Sequence, residues 1–343
     1  MDRRGLVIVP VLLAFAMVIG ACDTRREHVI TGRTMGTTYS VTVVTGPFGT
    51  VSGLKETIDR RLEEINHAIS PYRPESEISA FNRLREVGVE FPVSDDFMQV
   101  VRTAARLYAL SDGAWDATVG PLVDLWGFGR GGNPGRVPAP AEISALLPDV
   151  GFDQIEIHEK ALAKRRPGVS LDFSSVGQGY GVDRIVAILR QAGFTDFLVE
   201  VGGEIHAAGT RPDGRAWRVG ISRPVAGARP DDIYKVVSLH DQSFSTSGDY
   251  RQFFVRDGVR YSHHIDPATG YPVRNAPVSV SILAADSCTF VDGLGTAVLV
   301  LGLEKGLALI ERLDGAAALV IVEGPDGSLH DHLSTRMRLE PSP

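Results

Sequence analysis

The sequence predicts a single α+β domain with mixed or antiparallel sheets and packed helices. Runs of β-branched and apolar residues, such as 37–44, alternate with amphipathic segments at helical spacing, such as 54–69. The tight-turn signals Gly202-Gly203 and Asp257-Gly258 lie between apolar runs and favour antiparallel hairpins. No self-contained core is evident on either side of the glycine- and proline-rich stretch 130–140, so we predict one domain.

The N-terminus has the pattern of a bacterial targeting segment. Two arginines precede an apolar run over 5–19, which is short for a membrane span and leads through small residues to Cys22. This pattern is typical of a lipoprotein signal in which Cys22 is lipidated and becomes the first mature residue. An ordinary secretory peptide with an incidental cysteine is the alternative. Asp23 resembles a retention signal, so we expect a lipid anchor on the periplasmic side of the inner membrane.

Composition narrows the class of protein further. The net charge is -7 and no basic stripe is present, so no nucleic-acid partner is expected. The chain has 2 cysteines, which excludes a disulfide framework and a cysteine-based zinc site; Cys288 is predicted to be a buried apolar residue. We divide the chain into a signal peptide at 1–21, a tether at 22–32 and a folded domain at 33–340.

The remaining elements follow from periodicity and from helix-end signals. Ser52 and Ser94 are predicted N-caps, and Gly193 is predicted to end a helix. The predicted helices are 54–69, 75–82, 94–111, 141–147, a helix that runs through Ile185, Ile188 and Leu189 and ends at Gly193, 287–301 and 304–313. The predicted strands are 37–44, 154–158, 169–173, a pair within 197–209, 217–221, 234–239, 243–248, a hairpin over 253–263, 276–284 and 317–322.

Short polar runs beside these strands are the candidate functional elements. The loop 261–273, YSHHIDPATGYPV, holds two histidines and Asp266, which either serves the chemistry or caps neighbouring amides. The glycine-rich run 171–183 joins a strand to a helix, a geometry that presents backbone amides to an anion. Asp292 and Thr296 are four residues apart on an apolar helix and either hold a hard cation such as Mg²⁺ or form a local helix-start pair.

Eight segments in this order resemble the ApbE-like FAD:protein FMN transferases. They are MGTTY at 35–39, SPYRPESEISAFN at 70–82, GAWDATVGPLVDLWGFG at 113–129, LDFSSVGQGYGVD at 171–183, VEVGGE at 199–204, STSGDYRQFF at 245–254, SHHIDPATGYPV at 262–273 and VDGLGTA at 291–297. The resemblance implies a T-fold-like architecture and an enzyme that uses FAD and Mg²⁺. It implies transfer of FMN to a Thr or Ser of a partner protein through a phosphoester bond, with release of AMP.

The resemblance also implies roles for particular residues. His263 would be the base, with Asp266 in the same catalytic loop and His264 as the competing base. Asp292 and Thr296 would hold the metal by side chains, and Ser175 by its backbone carbonyl. Residues that would contact the flavin nucleotide are Met35, Tyr72, Ala114, Trp115, Asp116, Asp172, Gln178 and Ile265.

Gln178 departs from the family, which usually has Lys at this position. A neutral side chain there would make nucleotide binding weaker or more dependent on Mg²⁺. The expected partner is an extracytoplasmic flavoprotein domain with a Ser/Thr-rich acceptor motif, such as that of a respiratory electron-transfer protein. Two alternatives stay open: a metal-dependent FAD pyrophosphatase giving FMN and AMP, and a non-catalytic flavin-binding lipoprotein.

Overall fold

The computed structural model describes residues 25–129, 132, 135–229, 231–250, 252–274 and 276–341. The predicted signal peptide and Cys22 therefore lie outside the described residues. The described strands are β1 (Arg26–Thr34), β2 (Thr37–Thr45), β3 (Phe91–Pro92), β4 (Ile155–Ile157), β5 (Ala161–Lys164), β6 (Phe197–Val201), β7 (Glu204–Ala208), β8 (Trp217–Ser222), β9 (Ile233–Leu239), β10 (Gln242–Gly248), β11 (Phe253–Arg256), β12 (Val259–Ser262), β13 (Ser279–Ala284), β14 (Ala317–Glu323) and β15 (Leu329–Leu333).

Eight of these strands form one large sheet in the order β1-β2-β6-β7-β10-β13-β14-β15. Its strand pairs are antiparallel throughout. Smaller antiparallel sheets are formed by β11 with β12, by β3, β5 and β4, and by β8 with β9. The α+β prediction is confirmed.

Helices cover one face of the large sheet, and the β8–β9 pair covers the other. The helices are α1 (Leu54–Ile69), α2 (Glu77–Arg83), α3 (Asp95–Leu110), α4 (Gly120–Leu125), α5 (Pro140–Leu146), α6 (Gly177–Gln191) and α7 (Cys288–Glu311). Alternation along the strands explains the two layers, because successive side chains point to opposite faces. On β6, Val199 and Val201 join the helical core, whereas Leu198 packs with the β8–β9 layer.

The tether prediction is wrong for most of its length, because residues 26–32 belong to β1. β1 pairs with β2 over nine residues, from Arg26 opposite Thr45 to Thr34 opposite Thr37. The strand lies at the sheet edge and buries only Ile30 and Thr34, so it has little of the apolar alternation that identifies a strand in sequence.

The predicted strand at 169–173 is also wrong; the pairing strand is β5. Val169, Leu171 and Phe173 are buried in alternation, as they would be in a strand. Their segment is instead held by single contacts: the Leu171 amide donates to Asn82 Oδ1, and the Leu171 carbonyl accepts from Asn82 Nδ2. Alternating burial without a neighbouring strand gives the same sequence pattern as a true ladder.

Most predicted helix ends are confirmed. The Ser94 side chain accepts from the Phe97 amide, and Gly193 follows α6 with a φ of 84°. The Ser52 cap is wrong: Gly53 is the N-cap of α1, and the Val51 carbonyl accepts the Leu54 amide. The turn at Asp257-Gly258 has positive φ at both residues, as a type I′ hairpin requires.

Helix α7 joins the two helices that the sequence predicts at 287–301 and 304–313. Gly302, with a φ of 77° and a ψ of -178°, interrupts it at the predicted boundary. By length and hydropathy this helix could span a membrane. It packs instead against α3, α6, β10 and β13 as the central helix of the core. Cys288 at its start is buried, as expected, and burial raises the pKa of its thiol well above the usual value.

Candidate functional site

The candidate site is organised by the crossing of α6 and α7. Gly179 lies against the α7 backbone so closely that a Cβ there would be 2.5 Å from the Cys288 carbonyl oxygen. Asp183 on α6 caps the start of α7, because its carboxylate accepts from the Cys288 and Thr289 amides at 2.7 and 3.0 Å. Asp292 on α7 in turn accepts from the Gly179 amide at 3.1 Å. The two helix starts therefore satisfy each other's backbone donors.

Asp292 is a buried carboxyl in an acidic environment. It is 6% exposed. Burial raises its pKa well above the usual range, the charge of Glu204 raises it further, and the Gly179 hydrogen bond opposes both effects. Burial likewise raises the pKa of Glu204 to about 8. A bound cation would relieve this repulsion.

Thr296 lies one helical turn beyond Asp292 and is partly exposed. Ser175 follows a loop residue, Ser174, whose amide donates to the Asp172 carboxylate at 2.7 Å. The Ser175 hydroxyl accepts from Trp115 Nε1 at 3.1 Å. The Trp115 indole also approaches α7, because a Cβ on Gly293 would lie 3.3 Å from Nε1. Trp115 therefore links the Ser175 loop to the helix that carries Asp292 and Thr296.

These oxygen donors fit a hard cation. The structure describes no group of three or more His, Cys, Asp or Glu side chains arranged to hold a metal, within the residues given above. Mg²⁺ is often held by one or two carboxylates, with waters and substrate phosphates completing the octahedron. Asp292, the Thr296 hydroxyl, the Ser175 carbonyl and an unpartnered oxygen of Glu204 are donors of that kind.

Asp116 supports a loop. Its Oδ1 accepts from the Thr118 amide and hydroxyl, and its Oδ2 accepts from the Phe152 amide at 3.1 Å. The residue is buried, and burial raises the pKa of the carboxyl while these hydrogen bonds lower it. Asp116 thus fixes the backbone that carries Ala114 and Trp115, and both of its oxygens are already engaged.

A loop held by aromatic packing carries the two histidines. Trp126, at the end of α4, donates from Nε1 to the Gly270 carbonyl at 2.8 Å and stacks on Tyr261. Ile265 is buried beside Trp126 in this cluster. Asp266 closes the loop, because its carboxylate accepts from the Ala268 amide at 2.9 Å and from the Thr269 hydroxyl. These are the contacts expected if Asp266 caps neighbouring groups of the loop.

The two histidines differ in exposure. His263 is partly exposed, and its Nδ1 lies 3.2 Å from the Gln252 carbonyl oxygen. A carbonyl can only accept, so Nδ1 carries the proton and Nε2 keeps a free lone pair. Burial lowers the pKa of His263, while the Gln252 hydrogen bond opposes this effect. His264 is buried, and burial together with the charge of His263 lowers its pKa well below the usual value.

Helix α4 connects this loop to the rest of the site. At its start, a Cβ on Gly120 would lie 3.3 Å from the Asp172 side chain. At its end, Trp126 holds the histidine loop. The motif at 113–129 therefore lies between the Asp172 loop and the loop that carries His263.

Met35 lies beside α6, in a cavity that no other predicted site residue within the described part of the chain lines. It occupies the β1–β2 turn with a φ of 49°, and it lines a cavity of about 500 Å³ together with Arg33, Asn66 and Arg73. A Cβ on Gly181 of α6 would lie 3.4 Å from the Met35 methyl carbon. Tyr72, which directly precedes the cavity residue Arg73 in the sequence, is 65% exposed.

Gln178 points towards the β6–β7 turn. A Cβ on Gly202 would lie 2.9 Å from Gln178 Nε2, so the amide group packs directly on this glycine. The turn leads into Glu204, the last residue of the VEVGGE motif, to which the sequence pattern assigned no role. An acidic residue at the start of the strand Glu204–Ala208, whose other residues are mostly apolar, was the available signal in the sequence.

Comparison with solved structures places this fold in the class of flavin transferases. A solved structure named flavin transferase ApbE from Vibrio cholerae is 39% identical, has a TM-score of 0.82, and covers 91% of this chain and 98% of its own. A solved structure of Pseudomonas stutzeri flavinyl transferase ApbE, in its apo form, is 38% identical with the same TM-score and covers 91% and 95%.

This chain belongs to the ApbE family, whose family model matches residues 35–320. A curated relative named FAD:protein FMN transferase, from Vibrio cholerae, is 40% identical over 319 residues, 92% of this chain and 94% of the relative. A relative of the same name from Haemophilus influenzae is 37% identical over 91% of both chains. The resemblance found in the sequence motifs is confirmed.

Proposed function

We propose that this chain is an FAD:protein FMN transferase that uses His263 as its base. The acceptor would be a Thr or Ser hydroxyl of a second protein. Its oxygen would form a bond to the FMN-side phosphorus of FAD while the bond from that phosphorus to the AMP oxygen breaks. AMP leaves, the product is a phosphoester, and the hydroxyl proton passes to the imidazole.

The observation that carries this proposal is the state of His263. Its lowered pKa keeps the ring neutral near pH 7, and its bond to the Gln252 carbonyl leaves Nε2 able to accept a proton. His263 is partly exposed, so a hydroxyl from another protein can reach it, whereas His264 is buried. These differences favour His263 over His264, and the Asp266 contacts support a role in holding the loop that carries it.

Asp292 and Thr296 would hold Mg²⁺ by side chains and Ser175 by its carbonyl. When bound, the ion would offset the charge that grows on the departing AMP and hold the pyrophosphate in place. Asp292 is buried against the Gly179 amide, so its carboxylate would have one defined position when the ion binds. Gln178, being neutral, leaves more of the phosphate charge to the ion.

The flavin nucleotide would lie between the Met35 turn and the Trp115 loop. Met35, Tyr72 and Ile265 offer apolar contact, and Ala114 and Trp115 a backbone fixed by Asp116. Asp172 is placed between this loop and α4. We further propose that Cys22 is lipidated, that the domain lies on the periplasmic side of the inner membrane, and that the acceptor is an extracytoplasmic flavoprotein with a Ser/Thr-rich motif.

The test combines the chain from residue 23 onward, FAD, Mg²⁺ and a periplasmic flavoprotein domain from the same cell. Mass spectrometry of that domain should show one added FMN. The His263→Ala variant should bind FAD but lose transfer, while a variant of the exposed helix residue His67→Ala should transfer normally. Release of FMN and AMP without labelling would favour the pyrophosphatase, and intact FAD would favour a flavin-binding protein.

A further inference from the structure

One face of α7 lies directly on the large sheet. Cys288, Asp292 and Gly295 are spaced four and three residues apart, so they share a face of the helix. At one end, Cys288 Sγ lies 3.5 Å from the Ile205 carbonyl on β7. At the other, a Cβ on Gly295 would lie 2.7 Å from Ser247 Oγ on β10. Asp292 lies between these contacts and therefore faces the sheet.

Glu204 and Ser245 occupy the sheet positions beneath Asp292. Ile205 of β7 pairs with Phe244 of β10, so the next residues of the antiparallel register, Glu204 and Ser245, oppose each other. On the sheet, Glu204 and Ser245 lie between Ile205 and Ser247, the two residues that contact α7. On the helix, Asp292 lies between Cys288 and Gly295, the residues that make those contacts. Glu204 is 6% exposed and Ser245 is fully buried.

Glu204 has an oxygen without a partner. The Ser245 hydroxyl is close enough to lower the pKa of the Glu204 carboxyl, yet neither Glu204 Oε2 nor Ser245 Oγ completes a hydrogen bond of normal geometry with the described residues. Asp183, the other carboxylate that acts on Asp292, is occupied by the Cys288 and Thr289 amides. An unpartnered buried carboxylate facing another carboxylate is costly unless a proton or a cation lies between them.

We propose that Glu204 supplies the second carboxylate of the cation site to which Asp292 belongs, with Ser245 orienting it. The inference rests on the Mg²⁺ dependence put forward above. Two carboxylates on opposite sides of the helix–sheet interface suit Mg²⁺, which often takes one or two such ligands and leaves other positions to water and phosphate. Glu204 would thus add affinity for the free ion before nucleotide binds.

Glu200 provides a matched control. It lies on β6, in the same hairpin as Glu204, and is partly buried. It is directed to the opposite face of the sheet, and its Oε1 accepts from the Gly203 amide at 2.7 Å. Neutralising Glu200 therefore removes the same charge from the same hairpin and leaves both Glu204 and Asp292 in place. Glu200 acts on that side only through its charge, which raises the pKa of Glu204.

The experiment measures Mn²⁺ binding to the full chain by electron paramagnetic resonance, without FAD or acceptor. Glu204→Gln should raise the dissociation constant by about 10- to 100-fold, as loss of supporting groups does at other metal sites. Glu204→Asp, which keeps the charge, should recover part of the affinity, and Glu200→Gln should change it by less than about threefold. The metal-free Glu204→Gln variant should melt no lower than the native chain, because Gln keeps the shape of the side chain and the replaced oxygen, Oε2, has no hydrogen-bond partner to lose.

The proposal is overturned if Glu204→Gln binds Mn²⁺ like the native chain while Asp292→Asn does not. It is also overturned if the native chain binds no Mn²⁺ at millimolar concentration, or if Glu204→Gln melts lower and Glu204→Asp recovers nothing. Because no FAD is present, failure here is distinct from failure of FMN transfer, which the acceptor assay measures separately.

Discussion

The contact between α6 and α7 at Gly179 should tolerate no side chain. In Gly179→Ala the new Cβ would lie 2.5 Å from the Cys288 carbonyl oxygen, 2.8 Å from its carbon and 2.9 Å from Thr289 Cα. All three are backbone atoms, so no rotamer change relieves the overlap. Ordinary contact begins at 3.4 Å, and the helices must therefore separate locally by about 0.9 Å.

The magnitude follows from two opposing effects. Overpacking of this kind costs about 1–3 kcal/mol, and replacing an interior helical glycine by alanine returns up to about 1 kcal/mol. We expect a net loss of about 1–2 kcal/mol, which corresponds to a fall in melting temperature of about 2–4 °C for a large domain. The shift also lengthens the hydrogen bond from the Gly179 amide to Asp292, so cation affinity should fall with stability.

Gly177→Ala is the matched control, two residues earlier on α6. A Cβ there would meet only the Ile69 methyl group, at 3.7 Å, so neither stability nor cation binding should fall. Thermal unfolding and Mn²⁺ binding of both variants provide the comparison. If Gly179→Ala matches Gly177→Ala in both measurements, the close helix crossing is not what positions Asp292, and the reasoning fails.

Three further predictions concern stability, the histidine loop and the metal. Lys164 is fully buried, donates to two backbone carbonyls, and burial lowers its pKa to about 8. In the unfolded chain the Lys164 amine keeps its proton up to a higher pH. The free energy of unfolding of the native protein should therefore rise relative to that of Lys164→Met by about 3 kcal/mol as the pH increases from 8 to 10.5. The same pH dependence of the unfolding free energy in both proteins, measured by denaturant unfolding, would contradict this. Trp126→Phe removes the hydrogen bond to Gly270, so it should cost about 1–3 kcal/mol and reduce kcat for FMN transfer. Trp217→Phe is the control, because it loses an equivalent hydrogen bond to the Ala208 carbonyl, at 2.9 Å, on the far face of the sheet. It should lower stability by a similar amount and leave kcat unchanged. Equal losses of kcat in the two variants would refute a special role for the histidine loop. Asp292→Ala should abolish transfer by removing a metal ligand, and normal transfer by this variant at limiting Mg²⁺ would reject that assignment.

Local signals determined much of the fold from sequence. Helix α1 was predicted by apolar residues at helical spacing, and the hairpin at Asp257-Gly258 by two residues that tolerate positive φ. Gly302 ended one apolar helix where the sequence predicts a break. In these cases the deciding interactions lie within a few residues of one another, so the sequence pattern and the structure carry the same information.

Pairing between distant segments was decided only by the tertiary structure. β1 is a strand because it pairs with β2. The extended segment at 169–173 is not a strand, because its amides donate to Asn82 and to other loop groups. The sequence by itself determined the family, the oxygen-rich motifs and the candidate histidine. It could not show that the charge of Glu204 acts on Asp292, because that interaction depends on strand register and helix position together, and both are set by packing between residues almost ninety positions apart in the chain.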